Sequence, residues 1–289
     1  MSAARRRPFA QVDVFSGEAY RGNPLAVVLD GEGVDDADLA RFANWTNLSE
    51  TTFVLPPTDA GAAAGADYRV RIFTPVRELP FAGHPTLGTA HAWLEAGGIP
   101  RTEAQIVQEC AIGMVPIRRT GSRLAFGAPP LRRSGPVDPA DLARFAAALR
   151  LSVDDIVDAN WIDNGPHWVG LLLRSAEAVL AVEPDGVLLG DSDIGVVGPY
   201  PADATSAGHP QFEVRGFAGG AGVTEDPVTG SLNAGLAQWM IGAGYAPASY
   251  LAAQGSRLGR AGRIHIEQTA AQVWVGGDSV TCSSGTVLL

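Results

Sequence analysis

Four side chains in this 289-residue chain have the types and settings for proton chemistry on a small anion: Glu50, His84, Asp226 and Ser231. His84 follows Gly83 in Glu78-Leu79-Pro80-Phe81-Ala82-Gly83-His84-Pro85-Thr86-Leu87-Gly88. Ser231 follows Gly230 in Glu225-Asp226-Pro227-Val228-Thr229-Gly230-Ser231-Leu232-Asn233-Ala234-Gly235. Both stretches read E-x-P-x-x-G-[H/S]-x-[T/N]-x-G, about half a chain length apart. Each follows a strand-like run ending in Phe73 or Phe217, and each leads into an Ala-rich apolar segment with Trp93 or Trp239. The spacing predicts two related halves, each aiming a Gly-led helix start at a shared site. Free first-turn N–H groups and the helix dipole favour an anion there, such as a substrate carboxylate. Gly83 and Gly230 let backbone come close to it. An imidazole with an ordinary pKa near 6.5 could move protons at that point. Ordinary capping by His84 and Ser231 would use the same residue types, and Asp226 could equally satisfy loop amides.

The elements that must position these groups follow from periodicity. Residues 9–15 alternate as a strand, and Leu25 to Leu29 form a buried one across the Gly22-Asn23-Pro24 turn. Asp35 is a good N-cap for a helix running to about Trp45. Thr51 to Leu55 reads as a strand with Glu50 at its mouth, and Pro56 to Ala66 as a loop. Asp67 to Phe73 is a half-exposed strand. Leu87 to Glu95 is apolar on nearly every side, which predicts a central, buried helix. Three strands follow, at 105–109, 113–117 and 123–126. Ala128-Pro129-Pro130 is the expected boundary, dividing residues 1–128 from 129–279, with strand 280–289 returning to the first half. In the second half, 167–173, 179–182, 195–200 and 211–217 read as strands. Ser231 to Ile241 reads as the second central helix, and residues from Arg263 to Gly276 as a hairpin.

Val137 to Ala146 closely copies Val34 to Ala43. Extending that match sets Glu50 opposite Val153, so that a carboxylate stands in one half only. Asp226 faces Leu79, and His84 faces Ser231. Catalysis on one ligand needs unlike groups on its sides, so function is expected where a duplicated scaffold is asymmetric. The matched Glu78 and Glu225 read instead as scaffold, bonding neighbouring backbone N–H groups. Many short strands with two buried helices indicate an α+β fold, each half a curved, mostly antiparallel sheet round its helix.

Composition excludes several classes. A net charge of −10 argues against nucleic acid, whose phosphates need clustered Lys or Arg. No run is long and apolar enough to predict a membrane span. All 21 basic residues are Arg. A pyridoxal phosphate Schiff base and a P-loop both require Lys, so neither is present. Cys110 and Cys282 lack metal or redox spacing and read as reduced, buried thiols of a cytoplasmic protein. His91 lies seven residues beyond His84, roughly 10.5 Å along a helix, too far to share a metal. His167, His209 and His265 read as structural. The Gly216 to Gly222 run has no βαβ context for a nucleotide, and no G-x-S-x-G elbow supports a hydrolase.

At these residues the chain resembles the phenazine-biosynthesis isomerase (PhzF-like) family of the diaminopimelate epimerase fold. The likeness rests on Gly22 to Val28, Leu48 to Val54, Phe73-Thr74-Pro75, Glu78 to Thr86, Glu225 to Ser231, Gln254-Gly255 and Gly259 to Ile264. It implies two pseudo-symmetric halves with an active site between them, a homodimer, and cofactor-free, metal-free proton transfer on a small carboxylate. It implies catalytic roles for Glu50, His84 and Asp226. Gly83, Gly230 and Ser231 would hold substrate, with the Gly230 and Ser231 amides on its carboxylate. In phenazine producers such enzymes isomerise dihydro-hydroxyanthranilate. This chain departs from the family in Pro85, where Ala is common, and in a Gly-rich Ala218 to Val223 loop. A non-catalytic binding protein and an amino-acid epimerase are the alternatives. Two-thiol racemisation is disfavoured, because His84 and Ser231 occupy the helix starts where it would place cysteines.

Overall fold

The computed structural model describes residues 4–202, 208–219, 223–270 and 272–289. In chain order the first elements are β1 (Arg6–Val14), β2 (Asn23–Val28), α1 (Asp36–Thr46), β3 (Glu50–Leu55), α2 (Asp59–Ala63), β4 (Tyr68–Phe73), β5 (Glu78–Leu79), α3 (Gly83–Glu95), β6 (Gln105–Cys110), β7 (Gly113–Thr120) and β8 (Arg123–Gly127). Then come β9 (Arg133–Pro136), α4 (Pro139–Ala148), β10 (Ile156–Asp163), β11 (Val169–Leu173), α5 (Ala176–Ala181), α6 (Gly186–Leu189), β12 (Asp193–Pro199), β13 (Phe212–Ala218), β14 (Val223–Asp226), α7 (Gly230–Gly242), β15 (Ser249–Gln254), β16 (Gly262–Gln268), β17 (Val273–Gly277) and β18 (Ser279–Leu288). Two compact units result, Met1–Gly127 with Gly276–Leu289, and Ala128–Val275.

Each unit repeats one pairing pattern. In the first, β1 lies antiparallel to β18 and β2, β2 parallel to β3, β3 antiparallel to β4, β4 parallel to β6, and β6 antiparallel to β7. In the second, β10 lies antiparallel to β9 and β11, β11 parallel to β12, β12 antiparallel to β13, β13 parallel to β15, and β15 antiparallel to β16. A parallel pair needs a crossover. In each unit the crossover after the fourth strand of this pattern carries the long buried helix: α3 leads from β4 to β6, and α7 from β13 to β15. Residues Gly83 to Ala90 are all buried, as are Leu232 to Ala237. This is the α+β, pseudo-symmetric architecture expected from the sequence, its mostly antiparallel pairing joined by parallel pairs that make the sheets mixed.

Register corrects the internal alignment. α1 lies between β2 and β3, whereas α4 precedes β10. The β11-to-β12 connection, counterpart of β2 to β3, holds α5 and α6 instead. The resemblance of residues 34–43 to 137–146 is therefore one amphipathic helix resembling another at a different place in the fold. Thr51 pairs with Phe73, and Ile194 with Phe217. Glu50 therefore corresponds to Asp193, not Val153, and a carboxylate opens the equivalent strand in both units.

Other expectations shift for local reasons. Residues 179–182 belong mostly to helix α5, because the Ser175 side chain accepts the Ala178 N–H and caps an Ala-rich turn. The 56–66 loop contains α2, capped likewise by Thr58. Strand β10 escaped the sequence reading because Asp158, Asn160 and Asp163 interrupt its apolar pattern. The central residues 220–222 of the Gly-rich 218–223 loop lie outside the described residues.

Candidate active site

In the first unit the centre is His84, one residue into α3. It is buried, with Nε2 3.2 Å from Glu50 Oε2, a salt-bridge distance whose approach is not aligned as a hydrogen bond. The His84 side chain is 5% exposed and that of Glu50 16%, so the carboxylate is the more accessible of the two. Glu50 is the first residue of β3, as its place at the strand mouth required. Asn23, fully buried at the start of β2, brings Nδ2 to 3.4 Å from His84 Nδ1. An amide nitrogen can only donate, so Nδ1 accepts and the neutral ring carries its proton on Nε2, the nitrogen nearer Glu50. Burial lowers the His84 pKa from its ordinary value to about 3. The imidazole is therefore neutral near pH 7, not an imidazolium competing for the charge of Glu50.

A buried polar chain holds α3 in place. Thr86 Oγ1 donates to Ala82 O at 2.9 Å, and Gln108 Nε2 donates to Thr86 Oγ1 at 3.0 Å. Tyr68 OH donates to Gln108 Oε1, and Thr89 Oγ1 to Thr52 Oγ1. The N-cap residue, Ala82, makes no side-chain cap bond. His84 is thus not serving as an ordinary cap; its ring is turned to Asn23 and Glu50.

In the second unit, Asp226 ends β14 and pairs with Gly216 of β13. It is the last strand residue before the bend at Pro227 that leads to α7. Its carboxylate accepts Thr229 Oγ1–H at 2.6 Å, and Gln254 Nε2 donates to both Thr229 Oγ1 (3.0 Å) and Asp226 O (3.1 Å). Gln254 Oε1 in turn accepts Thr229 N–H and Asn233 Nδ2–H. A directed chain from amide to hydroxyl to carboxylate fixes the Asp226 side chain. Because the Thr229 hydroxyl is spent on Asp226, this N-cap residue makes no side-chain cap bond to α7. Ser231 Oγ accepts a hydrogen bond from Trp168 Nε1 at 3.0 Å.

The matched glutamates do not bond neighbouring amides. Glu78 takes both forks of Arg71 at 2.7 Å, and Glu225 both forks of Arg215 at 2.9 and 2.8 Å. Thr229, Gln254, Asn23, Trp168 and Asn164 are the supporting residues that motif reading did not single out for a role. Asn164-Gly165 is a turn signal that could have flagged the hairpin carrying Trp168. No local pattern marks Thr229 or Gln254 as partners of Asp226. Among the described residues no group of three or more His, Cys, Asp or Glu side chains is placed to hold a metal. Cys110 is buried, Cys282 only partly so, and both are free thiols. No helix among the described residues is long and apolar enough to cross a membrane.

Residues 12–285 match the profile of the family described as "Phenazine biosynthesis-like protein" (PhzC-PhzF). The chain belongs to the phenazine biosynthesis-like family. Membership in this PhzF-like group makes it part of an isomerase-type enzyme family whose chemistry is cofactor-independent. Relatives span nearly its whole length. The chain is 34% identical to "Antisense-enhancing sequence 1" of Schizosaccharomyces pombe, over 96% of this chain and 97% of that one. It is 33% identical to "Trans-2,3-dihydro-3-hydroxyanthranilate isomerase" of Pseudomonas fluorescens, over 96% and 98%. Among solved structures, a PhzF-family phenazine biosynthesis protein from Enterococcus faecalis superposes with a TM-score of 0.79 at 25% identity, covering 99% of this chain and all of the other.

Proposed function

We propose that this protein isomerises a small carboxylate substrate by moving a proton between carbons, in the manner of a trans-2,3-dihydro-3-hydroxyanthranilate isomerase. Glu50 is the base. Its carboxylate takes a proton from a carbon next to an activating group, leaving the electron pair delocalised in the substrate. The proton then returns at another carbon, so that no atom or electron is gained or lost. His84, held neutral beside Glu50, donates a hydrogen bond or passes on one proton only as it takes up another, and so does not neutralise the base. Asp226, oriented by Thr229 and Gln254, is the second acid/base group. Gly83 at the start of α3, and Gly230 with Ser231 at the start of α7, are each substrate-binding positions, helix starts of the kind that attract an anion.

The observation that carries this reading is the buried 3.2 Å approach of Glu50 to a neutral His84. Perturbed titratable groups of this kind are the mark of an acid/base site more than of a fold-bearing pair. An epimerase with paired thiols is disfavoured, since His84 and Ser231 stand where those thiols would. The test is incubation with trans-2,3-dihydro-3-hydroxyanthranilate in D2O. Conversion with deuterium on a product carbon is expected. Binding with neither conversion nor label would contradict isomerisation of this substrate and favour the binding protein.

A further inference from the structure

The hairpin turn between β10 and β11 does more than join two strands. It is shaped internally: Asp163 Oδ1 accepts the Gly165 N–H at 2.9 Å, and Asp163 Oδ2 lies 2.6 Å from His167 Nδ1. So fixed, it sends two side chains to one residue. Asn164 Nδ2 donates to Ser231 O at 2.8 Å, and Trp168 Nε1 donates to Ser231 Oγ at 3.0 Å. Trp168 is 2% exposed and Asn164 6%, and Asn164 Oδ1 is buried without a hydrogen-bond partner. An acceptor left buried at the start of α7 has a cost that a purely structural turn would avoid.

The chemistry of the indole decides what Ser231 can do. Indole N–H is a donor only, so the serine oxygen must accept. A hydroxyl has one proton to give, and among the described residues the Trp168 contact is its one hydrogen bond. A serine in the first turn of a helix otherwise turns its hydroxyl toward nearby backbone. With Trp168 donating into it, the hydroxyl proton is left for a ligand, beside first-turn amides that are donors as well. The Ser231 hydroxyl and the first-turn amides are then donors, which suits a carboxylate better than a neutral amide of the same shape.

We propose that Trp168, supported by Asn164, is a positioning residue that acts through Ser231, holding its hydroxyl as a hydrogen-bond donor to the substrate carboxylate. This rests on the functional reading above. The experiment is a double-mutant cycle of Trp168→Phe and Ser231→Ala. Turnover is measured with trans-2,3-dihydro-3-hydroxyanthranilate, and binding with 3-hydroxyanthranilate and its carboxamide by calorimetry. Circular dichroism confirms folding. Trp168→Phe should raise KM, and Kd for the carboxylate, about tenfold, the worth of one hydrogen bond, and change kcat less than about threefold. In the Ser231→Ala background the same change should have almost no further effect, and carboxamide binding should be little altered in either. Equal weakening of the carboxylate in both backgrounds would show that Trp168 acts by packing, overturning this inference while leaving the proposed function intact. A wild-type protein that neither converts the substrate nor binds the carboxylate would overturn the functional reading, and this inference with it. Should Trp168→Phe fail to fold, Trp168→Met, a flexible filler without a donor, runs the same cycle.

Discussion

Two arginine–glutamate forks mark the same place in the two units and live in different surroundings. Arg71 bridges Glu78 and stacks over Phe73 at 5.1 Å; Arg215 bridges Glu225 and stacks over Phe217 at 5.0 Å. The first pair is 26% and 41% exposed, the second 4% and 9%. Arg215 Nη1 also donates to Val179 O and Val182 O, while Arg71 Nη1 reaches the exposed Asp36. One duplicated device thus braces both motif strands, and only its setting differs. The shared residues E, P and G build scaffold. The residues that differ, His84 against Ser231 and Asp226 against Leu79, are free to carry chemistry.

The forks give the sharpest way to break the comparison. Glu225→Gln should cost about 3 kcal/mol or more, because it leaves a buried guanidinium without its counter-charge. Glu78→Gln should cost about 0–1 kcal/mol, since an exposed pair gains little over water. Urea unfolding of both variants checks this, and equal costs would remove the distinction.

The closing glycines of the two motifs come next. A Cβ on Gly235 would stand 2.7 Å from Ile162 O, a backbone atom that cannot step aside. A Cβ on Gly88 would stand 2.6 and 2.7 Å from Leu25 Cδ2 and Val14 Cγ2, which are side-chain tips. Gly235→Ala should destabilise by about 1–3 kcal/mol and Gly88→Ala by less, as read by thermal unfolding.

The smallest effect concerns pH. The folded pKa of His84 is lowered to about 3, below its unfolded value near 6.5. Between these values the unfolded chain binds the extra proton. Stability that is fully present above pH 6.5 is therefore lost as pH falls toward 3. Carboxylates titrate in part of this window, so the informative quantity is a difference. His84→Gln should lose less stability than wild type between pH 6.5 and 4.5, a range mostly above carboxylate titration. Identical slopes would show that His84 is not held neutral.

Much of this was legible in the sequence because the repeated motif is local. A glycine-led helix start, an apolar helix and a preceding strand are each written in neighbouring residues. That is why Gly83 to Glu95 and Gly230 to Gly242 were placed within a few residues, and why Glu50 was set at a strand mouth. What failed was non-local. The counterpart of Glu50 depends on strand register, which no stretch of sequence states, so a chance likeness of two amphipathic helices pointed to Val153 rather than Asp193. The partners of Glu78 and Glu225 are likewise set across strands: Arg71 and Arg215 lie on β4 and β13, several residues back. The Gln254–Thr229–Asp226 chain joins residues some 25 positions apart and leaves no local trace.

The central claim is that acid/base groups set on a duplicated scaffold move the proton, with Glu50 as the base. The most direct test is turnover of trans-2,3-dihydro-3-hydroxyanthranilate by Glu50→Gln, with folding confirmed by circular dichroism. Glutamine keeps the shape and removes the proton acceptor. The account predicts a folded protein whose kcat falls by about 10²–10⁴. A folded Glu50→Gln protein with undiminished turnover would contradict it.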